Sequence, residues 1–153
     1  MNNSATTVTI LMADDDEEDC LMARDALQEG RILNDLRVVH NGEELLDYLH
    51  RRGRFADADA PRPGLILLDL NMPRMDGREA LREIKGDPVL RAIPVVVLTT
   101  SKAEEDIIRS YELAANSFIT KPVTFAGLVA VMRDIGHYWL EIVDLPAPPG
   151  GSA

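Results

Sequence analysis

The sequence predicts an open sheet of five parallel strands with helices on both faces. Five short apolar runs alternate with helical patterns along the chain, and this alternation is typical of parallel α/β folds. Residues 65–69 and 94–99 are apolar at almost every position, as expected of strands that helices cover on both faces. Glycine and proline occur at the joints between the runs, where they end strands and helices. We expect a single domain, since 153 residues are enough for one large core.

Each element is predicted from the period of its apolar residues. The strand segments are short apolar runs bounded by polar or turn residues: 8–13, 36–40, 65–69, 94–99 and 117–120. The helix segments carry apolar residues at intervals of three and four: 17–29, 42–52, 77–85, 103–113 and 124 to about 139. Residues 52–64 are predicted to form a long loop, and residues 145–153 a flexible Pro/Gly tail.

Composition and charge exclude several classes of protein. The net charge of −10 argues against nucleic-acid binding, which requires a basic surface. The densest basic cluster, His50, Arg51, Arg52 and Arg54, is short, and we interpret it as the solvated end of a helix. No apolar run approaches the roughly 18 residues of a membrane span, and the N-terminus lacks the pattern of a signal peptide. A single cysteine, Cys20, excludes an intrachain disulfide and fits a cytoplasmic location.

The carboxyl ends of the predicted strands carry the residues with the most reactive side chains. In an open parallel sheet, ligands bind at this edge. The residues there are acids, an amide, hydroxyls and one ammonium: Asp14, Asp15, Asp16, Asp69, Asn71, Thr99, Thr100, Ser101 and Lys121. Their convergence on one edge is the main indication of a functional site.

Asp14, Asp15 and Asp69 are predicted to be close neighbours, and together they indicate a metal site. Two like charges 4 Å apart repel by about 4 kcal/mol at an effective dielectric constant of 20, so the cluster needs a counterion. Oxygen ligands that leave room for water suit Mg²⁺. We expect Asp15 and Asp69 to bind it through their carboxylates, Asn71 through its backbone carbonyl and Asp14 through a water molecule.

Asp69 is the candidate nucleophile for phosphoryl transfer, a role that an aspartate carboxylate can perform. Mg²⁺ and the Lys121 ammonium would then bind phosphoryl oxygens, and the Thr99 hydroxyl would hydrogen-bond another. Pro73 has no N–H and cannot extend the strand. We therefore expect the apolar strand to end at Asp69 and to direct its carboxylate into the cleft.

Four motifs occur in the order typical of receiver domains of two-component response regulators: ADDD, LLDLNMPRMDG, PVVVLTTS and FITKP. The chain resembles that family over about residues 7–140, with residues 1–6 as a tail and 141–153 as a C-terminal extension. Thr99 lies 30 residues after Asp69, and Lys121 lies 22 residues after Thr99, as in the family. The resemblance implies a flavodoxin-like fold with strand order 2-1-3-4-5.

The resemblance also implies a role for each matching residue of the site. Asp69 would accept a phosphoryl group from a phosphohistidine of a sensor histidine kinase. Asp14 and Asp15 would hold Mg²⁺, and Lys121 would bind the phosphoryl group. The implied protein is a phosphoacceptor in signalling and not an enzyme.

A narrower resemblance concerns the partner and the output. In three segments the chain resembles single-domain regulators that pair with cyanobacterial-type phytochrome kinases. These segments are the loop over residues 52–64, IPVVVLTTSKAEEDI and HYWL. Thr99 and Phe118 would form the conformational switch, and the readout at Phe118 would be steric because it lacks the hydroxyl of the tyrosine common there. The expected output is contact with a downstream protein, which the sequence does not identify.

The aromatic and apolar residues near the C-terminus have two interpretations. Tyr138, Trp139, Ile142 and Val143 either cap the core or form the surface of a homodimer. We favour the homodimer.

Two other functions on related folds have less support. A phosphatase of the haloacid-dehalogenase type, with an aspartyl nucleophile, needs a general acid two residues after that nucleophile, where this chain has Asn71. A flavin or nucleotide carrier needs a phosphate-binding loop of small residues after the first strand, where this chain has DDDEED.

Overall fold

The protein folds around a five-stranded parallel sheet. A computed structural model describes residues 9–32, 34–56, 60–69, 72, 77–99, 117–120, 122 and 124–137, except for the side chains of residues 99 and 117–120. The strands are β1 Ile10–Ala13, β2 Leu36–Val39, β3 Leu65–Asp69, β4 Val95–Thr99 and β5 Ser117–Thr120. Their order in the sheet is β2-β1-β3-β4-β5, and every neighbouring pair is parallel. The predicted fold class and strand order are confirmed.

The described helices are α1 Glu17–Glu29, α2 Gly42–His50, α3 Gly77–Gly86 and α4 Phe125–Ile135. Two short 3₁₀ helices, Gly53–Phe55 and Leu90–Ala92, follow α2 and α3. The first lies inside the segment that the sequence predicted to be an irregular loop. The predicted helix over 103–113 and the extension over 141–153 lie outside the described residues.

Capping side chains set where the helices begin. The Asp16 carboxylate accepts hydrogen bonds from the backbone N–H groups of Glu18 and Asp19 at the start of α1, at 2.9 and 3.4 Å. Asn41 caps α2 in the same way, and Thr124 caps α4. Such caps satisfy backbone donors that have no partner inside the helix. They therefore hold the first turns of α1 and α2 at the carboxyl edge of the sheet.

Each face of the sheet buries its own hydrophobic cluster. On β3, Ile66 and Leu68 pack into the cluster that includes residues of α2 and α3. Leu65 and Leu67 pack into the cluster that includes residues of α1 and α4. All four side chains are fully buried, so helices cover both faces as predicted. Among the described helices, none has the length and hydropathy needed to cross a membrane.

Candidate functional site

The strand register brings the predicted site residues to one edge of the sheet. Ala13 of β1 is paired with Leu68 of β3, so the next residues along these strands, Asp14 and Asp69, are neighbours. Asp69 is in turn paired with Leu98 of β4, the residue before Thr99. The backbones of Thr99 and Thr120 are also paired, so β5 ends at the same edge.

Three carboxylates form a compact cluster at this edge. One oxygen from each of Asp14, Asp15 and Asp69 lies within 4.8 Å of the other two. Asp14 is fully buried and Asp69 is 5% exposed, whereas Asp15 is exposed. Within the part of the chain that the structure describes, no other group of three or more acids, histidines and cysteines is close enough to hold a metal ion. The predicted convergence of these acids is confirmed.

The charge of this cluster fits a divalent cation. At 4.8 Å, two carboxylates repel by about 3.5 kcal/mol when the effective dielectric constant is 20. The buried pair of Asp14 and Asp69 gains least from screening by solvent. A hard cation that accepts oxygen ligands offsets this repulsion, and the exposed position of Asp15 leaves room for water ligands.

The backbone around Asp14 is held in place by hydrogen bonds on both sides of the residue. The Asp14 N–H donates to the carbonyl of Val39 at 3.0 Å, which extends the pairing of β1 with β2 by one step. The Asp16 N–H donates to Oδ1 of Asp14 at 2.9 Å, and the Cys20 thiol donates to the Asp14 carbonyl at 3.6 Å. This arrangement orients the carboxylate before any ligand arrives.

Asp16 has a structural role at the site. Its backbone N–H positions Asp14 and its side chain caps α1, so it joins the acidic cluster to the helix. The signal for this role was an aspartate directly before an acidic helical first turn, which is a common capping pattern.

Further contacts between acidic and basic side chains lie at the end of β2 and along α2. His40 lies 3.7 Å from the Glu17 carboxylate and 3.8 Å from that of Glu44. Arg54 contacts Glu44 at 3.3 Å. The contact between His40 and Glu17 forms only when β1 and β2 pair, whereas the two contacts of Glu44 are local along the chain.

The remaining predicted residues are described in part or not at all. Lys121 and Asn71 lie outside the described residues. Thr99 and Phe118 are described by their backbones, which lie in β4 and β5. Their predicted roles therefore stay predictions.

Comparisons with known proteins agree with this geometry. A family model described as the response regulator receiver domain matches residues 10–133. The response regulator Rcp1 of Synechocystis sp. is 43% identical over 138 residues, which is 90% of this chain and 92% of Rcp1.

Two solved structures are similar over almost their whole length. The phosphorylated cyanobacterial phytochrome response regulator RcpA is 41% identical with a TM-score of 0.82, and the match covers 92% of this chain and 99% of RcpA. The Mn²⁺-bound form of Rcp1 is 42% identical with a TM-score of 0.81 and the same coverage. That form shows a divalent cation bound to a protein of this fold.

Proposed function

Because this chain belongs to the response regulator receiver domain family, we propose that it accepts a phosphoryl group on Asp69 from a sensor histidine kinase. The observation that carries this assignment is the position of Asp69. It is the last residue of a fully buried strand, and its carboxylate reaches two further acids. Receiver domains are signalling proteins, and the haloacid-dehalogenase alternative is not favoured.

The proposed transfer uses the carboxylate of Asp69 as the nucleophile. One of its oxygens forms a bond to phosphorus while the P–N bond to the kinase histidine breaks, and the electron pair of that bond stays on the histidine nitrogen. The product is an acyl phosphate on Asp69. We assign Lys121 and Thr99 to the phosphoryl oxygens, as an ammonium and a hydroxyl donor.

We propose Mg²⁺ as the metal at the carboxylate cluster. Asp15 and Asp69 would hold it through their carboxylates, Asn71 through its backbone carbonyl and Asp14 through water. When bound, the cation supplies positive charge that offsets the repulsion among the acids and the charge of the incoming phosphoryl group. The support is the set of oxygen donors within 4.8 Å of one another.

We propose Thr99 and Phe118 as the switch that reports phosphorylation. A phosphoryl group at Asp69 adds nearly two negative charges beside the end of β4. Thr99 would move toward it, and the ring of Phe118 would fill the space that Thr99 leaves. The change would shift an existing equilibrium between two conformations rather than create a new one.

The proposed partner is a kinase of the phytochrome class, because Rcp1 and RcpA are similar to this chain over most of its length. We propose a cytoplasmic location, where ATP supplies the kinase, and a downstream target that is a protein. The proposed homodimer uses Tyr138, Trp139, Ile142 and Val143, which lie outside the described residues. A monomer in sedimentation at tens of micromolar protein would contradict the homodimer.

Intact mass spectrometry tests the central proposal. With Mg²⁺ and acetyl phosphate, the protein should gain one phosphoryl group, about 80 Da, and the Asp69→Asn variant should gain none. The control is Asp25→Asn, which makes the same change in charge on the exposed face of α1 and should be phosphorylated normally. A phosphorylated species in Asp69→Asn, or none in the wild type, would overturn the assignment.

The kinase class needs its own measurement. Phosphotransfer from a panel of autophosphorylated sensor kinases should be fastest from a phytochrome kinase. Equal rates from unrelated kinases would remove the phytochrome proposal and leave the phosphoacceptor assignment intact.

A further inference from the structure

One peptide group at the end of β2 joins the carboxylate cluster to helix α2. Its carbonyl belongs to Val39, the last residue of β2, and its N–H belongs to His40. The carbonyl accepts a hydrogen bond from the Asp14 N–H at 3.0 Å. The N–H of the same peptide donates to Oε1 of Glu44 at 2.9 Å. Because a peptide group is planar and stiff, it connects Asp14 directly to the Glu44 carboxylate.

The Glu44 side chain departs from the usual capping pattern in a way that creates this connection. The Glu44 N–H donates to Oδ1 of Asn41, the cap of α2, at 2.8 Å. In a capping box the carboxylate would return to the N–H of the cap residue. Here it reaches one residue further back, to the N–H of His40. That N–H belongs to the peptide that also accepts from Asp14, so Glu44 does more than cap its own helix.

The Glu44 carboxylate is held where it can act on the peptide. Its side chain is 27% exposed, and Nη2 of Arg54 lies 3.3 Å from Oε1 on the solvent side. Arg54 is itself 61% exposed, so solvent screens this contact. The contact orients the carboxylate while the hydrogen bond from His40 keeps a charged acceptor.

A charged acceptor at one end of a peptide strengthens the hydrogen bond at the other end. Hydrogen bonds to an ionised carboxylate are about twice as strong as neutral ones, and each bond in a chain polarises the next. Val39 and Asp14 are both fully buried, where the low dielectric constant increases this effect. The bond between the Asp14 N–H and the Val39 carbonyl therefore depends on the charge of Glu44.

That bond affects where the Asp14 carboxylate lies relative to Asp69. Asp14 follows the last residue of β1, and its Oδ1 accepts from the Asp16 N–H at 2.9 Å within the turn that leads to α1. Asp69, in contrast, is the last residue of β3. The bond to Val39 attaches the turn to the sheet, so weakening it would let Asp14 move relative to Asp69.

We propose that Glu44 is a positioning residue for the metal site, and that it acts through the peptide between Val39 and His40. It binds no metal itself. It holds Asp14 at the distance from Asp69 that oxygen ligands of Mg²⁺ require. The inference rests on the proposed metal site at Asp14, Asp15 and Asp69 and adds a residue of α2 to its support.

Titration with MgCl₂, followed by amide NMR at constant ionic strength, tests the effect on metal binding. Glu44→Ala should weaken Mg²⁺ binding about tenfold, the lower end of the range for lost outer partners of metal ligands. Glu44→Gln keeps an acceptor oxygen without the charge, so it should recover affinity to within about threefold of the wild type. The matched control is Glu43→Gln, which removes the same charge from the neighbouring exposed residue and should change affinity by less than about twofold.

The amide signal of Asp14 in the metal-free protein separates positioning from capping. Its proton resonance should move upfield in Glu44→Ala, because the bond to Val39 lengthens, and should lie between the two in Glu44→Gln. The amide of Ile10, which donates to the Asp35 carbonyl at 2.8 Å at the other end of β1, should not move. A role in capping alone would lower the stability of α2 and leave the Asp14 signal unchanged. If Glu44→Ala does not fold, the comparison of Glu44→Gln with Glu43→Gln still decides the question.

Two results would overturn the inference while the metal site stands. One is an Asp14 amide signal that is the same in wild type and both Glu44 variants. The other is an equal loss of Mg²⁺ affinity in Glu43→Gln and Glu44→Gln, which would show a general effect of charge. A wild type that binds no Mg²⁺ in the same titration would instead overturn the proposed metal site, and this inference with it.

Discussion

The substitution Asp15→Asn should stabilise the metal-free protein and weaken its response to Mg²⁺. Asp15 is the exposed member of the carboxylate cluster, so its removal leaves the buried pair of Asp14 and Asp69 intact. It also eliminates two of the three repulsions in the cluster. The same change removes one ligand of the proposed metal site.

The size of the effect follows from the 4.8 Å limit on the separation of the three oxygens. Because Asp15 faces solvent, the dielectric constant of water is the appropriate one, and each repulsion is then about 0.9 kcal/mol. Two such terms amount to about 2 kcal/mol. For a chain of this length, this corresponds to a rise of about 4–8 °C in the melting temperature.

Thermal unfolding by circular dichroism at low salt measures both effects. Without metal, Asp15→Asn should melt above the wild type. In millimolar MgCl₂ the wild type should gain stability by ligand linkage, and the variant should gain less than half as much. Asp25→Asn, exposed on α1, is the matched control and should follow the wild type. A lower melting temperature for metal-free Asp15→Asn, or an unchanged Mg²⁺ response, would refute the electrostatic reasoning.

Three further substitutions test contacts that stabilise the fold. Asp16→Ala removes the cap of α1 and should cost about 1 kcal/mol in urea unfolding; an unchanged midpoint would contradict the capping role. Gly136→Ala places a methyl group against Ile32, with its Cβ 2.9 Å from Cγ1, and overpacking should cost about 1–3 kcal/mol in urea unfolding, with a smaller cost in an Ile32→Ala background that lacks the clashing atoms. The hydrogen bonds from Leu90 and Val89 lower the pKa of Asp87, so its stabilising effect is complete above about pH 3.9 and is lost as the pH falls through the folded value. The melting temperatures of wild type and Asp87→Asn should therefore converge in acid, and a constant difference would be inconsistent with that shift.

The sheet and the carboxylate cluster were predictable because burial and strand geometry determine both. The bounds of β3 match the prediction, since an apolar run covered on both faces has a sharp polar end at Asp69. The carboxylate cluster was predictable because the carboxyl ends of parallel strands lie at the same edge of the sheet. Any fold that pairs β1 with β3 in this register brings Asp14 beside Asp69.

Features that depend on several segments at once were not predictable. Helix α2 was predicted to reach Arg52 and ends at His50, because Arg51 adopts a left-handed conformation with φ of 54°. Glycine usually marks such an end, and the nearest glycine, Gly53, lies two residues later. Arg62 likewise lies beside α2 and the α3–β4 connection. A local sequence pattern does not predict that these segments meet.

The core determines how much repulsion the site can tolerate. The repulsion between the buried carboxylates of Asp14 and Asp69 is about 3.5 kcal/mol. Fully burying one leucine stabilises the fold by about 1.5–3 kcal/mol, and Leu67 and Leu68, the two residues before Asp69 in β3, are both fully buried. Two leucines therefore offset the repulsion at the end of the same strand. The apolar run before Asp69 therefore contributes a free energy of the same size as the repulsion, and a polar residue within β3 would reduce that contribution.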